Sequence, residues 1–181
     1  MKKIFIIIII MFSFFTKGSA KYTQLAHEFK FNGISGESIN MSDYKEKVVV
    51  VVNVASRCGF TKQYDDLQNL WINYRDKDLI VIGVPTNDFK QEPGSNEDIK
   101  NFCETNFNIN FPITEKINVL GKNAHPFYKW AKENYGKKAV PKWNFHKIII
   151  GKNGKIVDTF ASITKPTSKK FINFIEEQIK N

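Results

Sequence analysis

The stretch Val48-Val49-Val50-Val51-Val52-Asn53-Val54-Ala55-Ser56-Arg57-Cys58-Gly59-Phe60-Thr61 decides how the rest of the chain is read. Residues 48–55 are β-branched and nearly continuous rather than alternating, the signature of a central strand covered on both faces. Past Thr61 the period changes. Tyr64, Leu67, Leu70, Trp71 and Tyr74 recur at helical spacing, so an amphipathic helix is expected to begin between Thr61 and Gln63. Cys58 therefore falls at a strand-to-helix turn, where backbone N–H groups at a helix N-terminus stabilise a thiolate. That is a position for a nucleophile. Taken alone it is equally a position for a buried structural thiol, since free cysteine is among the most buried residue types.

Before this strand, residues 29–34 and 37–41 form an expected short hairpin that turns near Gly33 and Gly36. After the helix, residues 79–84 form a second expected buried strand, closed by Pro85. The loop 85–94 is polar and rich in turn formers, and Ser95 with Asp98 has the spacing of a capping box. On the helix that this box starts, Ile99, Phe102, Cys103 and Phe107 share a face, so core packing is one reading of Cys103. Residues 126–135 suggest a third helix, 145–150 and 155–160 a hairpin turning at Lys152-Asn153-Gly154, and 168–180 a terminal amphipathic helix. This order is α/β, with a right-handed parallel first β-α-β unit and a final hairpin that makes the sheet mixed. A central mixed sheet flanked by helices, with a cysteine at the end of its first central strand, describes a thioredoxin-like fold. The C-x-x-C usual in that fold is missing, because Gly59, Phe60 and Thr61 follow Cys58. Dithiol exchange at one local motif is not expected.

Residues 1–20 begin with Lys2 and Lys3, continue as an apolar run over 4–15 and end in Gly18-Ser19-Ala20, the three-part pattern of a secretory signal peptide. The run is shorter than the roughly 20 residues of a spanning helix. An exported protein, periplasmic or secreted, is expected, with one soluble domain over 21–181. Removing the leader's three lysines lowers the net charge from +9 to +6. The lysines are scattered, with no arginine-rich stripe or nucleic-acid motif, so nucleic acid is not an expected partner; a solvated basic surface is the favoured reading, and peripheral contact with an anionic membrane or an acidic partner the second. His27, His125 and His146 are far apart and show no metal-ligand spacing. Two cysteines in an exported chain are also compatible with a single structural disulfide.

Three further segments join the Cys58 turn: Asn87-Asp88-Phe89-Lys90-Gln91-Glu92-Pro93-Gly94, Phe102-Cys103 and Lys142-Trp143-Asn144-Phe145. Together, in this order and over essentially the whole of 21–181, they resemble the glutathione peroxidase family, in particular its short, cysteine-containing branch, whose members are often reduced by thioredoxin. The resemblance implies that Cys58 is the peroxidatic residue, that Gln91, Trp143 and Asn144 complete a catalytic tetrad, and that Cys103 is the resolving thiol. It implies a hydroperoxide substrate, a thioredoxin-like protein or glutathione as reducing co-substrate, and no metal or dissociable cofactor. The insertion of oligomeric relatives has no room here, which implies a monomer with an open site able to admit lipid hydroperoxides.

The residue types suit such chemistry. A thiolate attacking a peroxide oxygen displaces an alkoxide or hydroxide, and neutral donors lower the barrier by holding the developing anion. Gln91 and Asn144 offer amides and Trp143 an indole N–H. The sulfenic acid formed on Cys58 condenses with a second thiol to a disulfide, and Cys103, on an apolar helix face, is expected to need local unfolding to reach it. Asp88 stands where many relatives carry glutamine, and a carboxylate there would disfavour a neighbouring thiolate. Two other functions fit the same residues: a redox sensor or thiol relay that passes the oxidised state of Cys58 to a partner, and a non-enzymatic domain with a structural Cys58–Cys103 disulfide.

Overall fold

The computed structural model describes residues 22–181, so the expected leader lies outside the described residues. Its elements are β1 (Lys30–Asn32), β2 (Ser38–Asn40), β3 (Val48–Val54), α1 (Gln63–Tyr74), β4 (Leu79–Pro85), α2 (Asn96–Phe107), α3 (Pro126–Tyr135), β5 (Lys147–Ile150), β6 (Ile156–Phe160) and α4 (Lys169–Lys180). Four strands form a mixed sheet in the order β4-β3-β5-β6, with β3 parallel to β4 and antiparallel to β5, while β1 and β2 pair as a separate hairpin. The fold is α/β and thioredoxin-like. Among the described residues no helix is long and apolar enough to cross a membrane.

Every residue of β3 is buried, as its unbroken apolar run requires. Strand alternation then divides the core in two. Val48, Val50, Val52 and Val54 join Leu67 and Leu70 of α1, Ile99 and Cys103 of α2, and Phe171 and Ile175 of α4. Val49 and Val51 face the other way, onto Phe31 and Ile39 of the hairpin and Phe127, Trp130 and Ala131 of α3. The β1–β2 turn needs Gly36, whose φ is +92°.

The last hairpin differs from its expected bounds. β5 begins at Lys147 rather than at residue 145, because Phe145 adopts φ +63° and a left-handed residue cannot continue a strand. Residues 143–146 instead fold back over the end of β3, where the Phe145 N–H donates to Asn53 O (2.6 Å) and the Asn53 N–H to His146 O (3.3 Å). This turn carries two of the expected site residues.

The capping box forms: Ser95 Oγ accepts from the Asp98 N–H (3.1 Å), and an Asp98 carboxylate oxygen accepts from the Ser95 N–H (2.8 Å). Ser95→Ala is expected to cost about 1 kcal/mol, lowering Tm by about 2–4 °C in a thermal melt. A second expectation concerns His146, buried beside β5, where burial and the adjacent Lys147 hold its pKa down at about 4. Unfolded, it titrates near 6.5. As pH falls from 6.5 towards 4 the unfolded chain takes a proton that the folded chain refuses, so stability drops across that window. In urea titrations at pH 7 and pH 4.5, His146→Gln should remove on the order of 2 kcal/mol of that drop.

Candidate active site

β3 ends at Val54 and the chain turns through 55–62 before α1 begins at Gln63. Thr61 locks this turn. Its hydroxyl accepts the Cys58 N–H (3.0 Å) and lies 2.7 Å from Cys58 O and 3.0 Å from Ala55 O, while its own N–H donates to Cys58 O (3.0 Å). The Phe60 N–H is thereby aimed at Cys58 Sγ, at 3.4 Å. The N–H groups of Gln63 and Tyr64 are taken by the carbonyls of Phe60 and Thr61. The donor that faces the sulfur therefore belongs to the turn, not to the first residues of the helix.

The loop after β4 lies against this turn. The Arg57 N–H donates to Gln91 O (3.0 Å), and the Gln91 side chain accepts the Asn144 amide through Oε1 at 2.9 Å. Asn144 is fully buried, and its Oδ1 has no partner. Trp143 is 42% exposed, with its ring 5.5 Å from that of Phe89; its carbonyl accepts from Asn53 Nδ2 (3.1 Å). Cys58, Gln91, Asn144 and Trp143 thus come from three separate segments to one end of the sheet. The positive φ of Phe145 turns Asn144 inward while the Phe145 ring packs edge-on to Tyr64 at 5.4 Å.

Cys103 comes from a different element but belongs to the same core cluster as Cys58. It is buried on α2 in the core cluster, and both cysteines are free thiols. Burial pushes the Cys103 pKa up to about 11, with the Tyr64 hydroxyl pulling the other way. That hydroxyl, itself fully buried, has no well-formed hydrogen bond and faces the Cys103 thiol. In place, Cys103 is a protonated thiol and a poor nucleophile.

Two acids take positions that sequence reading did not give them. Glu92 is almost completely buried, and its Oε2 accepts both the Ser56 N–H (2.7 Å) and the Ser56 hydroxyl (3.0 Å). Burial raises its pKa, opposed by the Ser56 donors and by Lys116 and Arg57. It holds the Cys58 turn to the Gln91 loop two residues from the sulfur. The only signal was an acid between Gln91 and Pro93, a pattern that otherwise reads as solvated loop. Asp88, expected to act on the thiolate, uses its carboxylate as a clamp for another loop, accepting from Asn118 Nδ2 (2.6 Å) and from the N–H groups of Val119 (2.7 Å) and Leu120 (2.8 Å).

A cleft of about 390 Å³ is lined by Lys137, Lys138, Lys142, His146, Asp158 and Ser162. A smaller one, about 150 Å³, separates the Ser56–Arg57 turn and Glu92 from Ile99 and Phe102 of α2. Among the described residues no cluster of three His, Cys, Asp or Glu side chains is placed to hold a metal ion.

The sequence profile described as glutathione peroxidase matches residues 26–132. The glutathione peroxidase-like peroxiredoxin 2 of Saccharomyces cerevisiae is 48% identical over 138 residues, which cover 74% of this chain and 85% of the yeast protein. The hydroperoxy fatty acid reductase of Synechocystis is 40% identical over 157 residues, covering 82% of this chain and 93% of that one. Among solved structures, apo Trgpx superposes with a TM-score of 0.70 at 36% identity, covering 88% of this chain and 98% of its own. With the profile spanning more than half of the chain and relatives this similar along most of their length, the chain belongs to the glutathione peroxidase family.

Proposed function

We propose that this chain is an exported thiol peroxidase that reduces hydrogen peroxide and organic or lipid hydroperoxides at Cys58. The observation that carries the proposal is the Gln91–Asn144 hydrogen bond, tied through Arg57 to the Cys58 turn and flanked by a half-exposed Trp143. It ties the Gln91 loop and the Trp143–Asn144 turn to the segment that holds the sulfur, which already faces the Phe60 N–H. The Cys58 thiolate attacks the nearer peroxide oxygen, the O–O bond breaks, and the products are Cys58–SOH and an alkoxide or hydroxide that takes up the proton the thiol had lost. Gln91, Trp143 and Asn144 hold the developing oxyanion, each worth about 3 kcal/mol at typical oxyanion-donor strength.

Resolution follows when the Cys103 thiolate attacks the Cys58 sulfenic sulfur, forming the disulfide and releasing water. Cys103 must first leave the core. Opening the α2 region brings it within reach of Cys58 and restores an ordinary thiol pKa by returning the group to water. A thioredoxin-like dithiol, or two molecules of glutathione, then reduces the disulfide by exchange. The lysine-lined cleft that Lys142 and His146 border suits a carboxylate, whether on a fatty acid hydroperoxide, on glutathione or on an acidic partner surface. The names of the yeast and Synechocystis relatives support the peroxidase reading and a fatty acid hydroperoxide among its substrates. A monomer, with at most peripheral contact to anionic membranes, is part of the proposal, as is the export signal in 1–20.

The concealment of Cys103 favours a second reading, a redox relay, because a long-lived sulfenic acid leaves time for a partner thiol to attack. The two readings part on turnover. In hydroperoxide consumption assays with thioredoxin and its reductase, and separately with glutathione, the mature protein is expected to turn over rapidly and Cys58→Ser to lose at least a thousandfold. Cys103→Ser is expected to keep the first, stoichiometric turnover while thioredoxin-driven cycling stops. Slow turnover with a stoichiometric mixed disulfide to a partner would select the relay; a folded, reduced protein inert to peroxide would overturn both.

A further inference from the structure

Lys147 is a fully buried lysine that the proposed reaction does not use. It is the first residue of β5 and pairs directly with Val52, so its side chain enters the same face of the sheet as Val52 and Val54, the face on which Cys58, Tyr64 and Phe145 cluster. There Nζ donates to Gln63 Oε1 (2.5 Å) and to Thr164 O (2.7 Å), and Gln63 Nε2 donates onward to Ser162 O (2.6 Å). Two acceptors match the two N–H bonds of a neutral amine, whereas an ammonium would leave a third proton unmet. The surroundings agree with that count. Among the described residues no carboxylate is paired with Nζ. The titratable neighbours are Asp66 on α1, whose carboxylate accepts the Thr167 hydroxyl at 2.7 Å, and His146 beside Lys147 in the chain, which burial keeps neutral. Burial brings the Lys147 pKa down to about 7.

For the fold alone this is a costly way to fill space. A methionine would occupy the same volume without desolvating an amine. What the lysine grips is informative. Gln63 is the first residue of α1, a helix with no side-chain cap of its own. The grip on Gln63 fixes that helix start against β5 and against the 162–164 loop. Before it, across Lys62, stand Phe60, whose N–H faces the sulfur, and Thr61, whose hydroxyl locks the Cys58 turn; immediately after it stands Tyr64, which faces Cys103.

We propose that Lys147 is a positioning residue for the peroxidatic thiol: acting through Gln63, it clamps the first turn of α1 to the sheet and so fixes the N–H and hydroxyl that hold Cys58. This inference rests on the peroxidase reading of Cys58. Its test uses the mature protein in a Cys103→Ser background, where Cys58 is the remaining thiol, with two readouts: the second-order rate of Cys58 oxidation by hydrogen peroxide, and the pH profile of Cys58 alkylation. Lys147→Met and Gln63→Leu, each checked for folding by circular dichroism and thermal melting, are each expected to slow oxidation by about tenfold through misplacement of the sulfur. Both should also change the alkylation profile. Because the two side chains act in series, the double variant should lose no more than either single one.

Wild-type rates and midpoints in folded Lys147→Met, or losses that multiply in the double variant, would overturn the proposal. Should Lys147→Met not fold, Gln63→Leu cuts the same link with the lysine in place and decides by the same readouts. A wild-type protein that peroxide does not oxidise would instead sink the peroxidase reading, and the alkylation profile would still judge the clamp.

Discussion

A strand buried on both faces and paired on both edges must satisfy every backbone group without water, and at the C-terminal end of β3 this requirement assembles the site. The ladder to β5 runs out at Val52. Beyond it, the Asn53 carbonyl and N–H are taken up by Phe145 and His146, the Val54 carbonyl accepts the Thr86 N–H, and the Ala55 carbonyl lies against the Thr61 hydroxyl. Each of these partners lies in a segment that carries chemistry: the Trp143–Asn144 turn, the start of the loop leading to Gln91, and the turn that holds Cys58. Three loops distant in sequence meet because one strand end has hydrogen bonds to complete. The strained φ of Phe145 belongs to the same economy, since a left-handed residue there lets its N–H reach Asn53 while Asn144 points at Gln91.

The charges around this strand end are arranged with restraint. The segments that meet at this strand end carry amides, Gln91 and Asn144, and an indole, Trp143, and the group that faces the sulfur is a backbone N–H; none of these changes charge near neutrality. The acids close by are spent on structure: Glu92 on the Ser56 turn, Asp88 on the loop at 118–120. Lys147 sits in a setting that takes up both N–H bonds of its neutral form, and Cys103 is protonated in the core. Among the described residues every lysine but Lys147 is at least partly exposed, and Lys137, Lys138 and Lys142 line one cleft.

Much of the architecture is legible in local pattern because it is locally determined. The β-branched run of β3, the helical period that starts at Tyr64, the Ser95–Asp98 box and the Asn153-Gly154 turn each state their own conformation, and the elements form where those signals stand. The start of β5 was not legible, because nothing in Trp143-Asn144-Phe145 announces that a bulky aromatic will take a left-handed φ; the reason lies 92 residues away, at Asn53. Cys58, Gln91, Trp143 and Asn144 stand out in the sequence as members of long motifs, and the structure places them at one end of the sheet. Glu92 and Lys147 escaped for the opposite reason. A charged residue in sequence reads as solvent-facing, and only the partners supplied by other segments, Ser56 for one and Gln63 for the other, make its burial tolerable.

The hidden position of Cys103 sets a clock on the proposed cycle. Once Cys58 carries a hydroxyl, the sulfenic acid lasts as long as α2 takes to open, however fast the first step was. A second peroxide molecule arriving within that interval drives the sulfur on to sulfinic acid, which ordinary thiols do not reduce. The packing of one helix therefore determines a ceiling of oxidant concentration: below it the protein clears peroxide catalytically, and above it the protein is consumed by its own substrate.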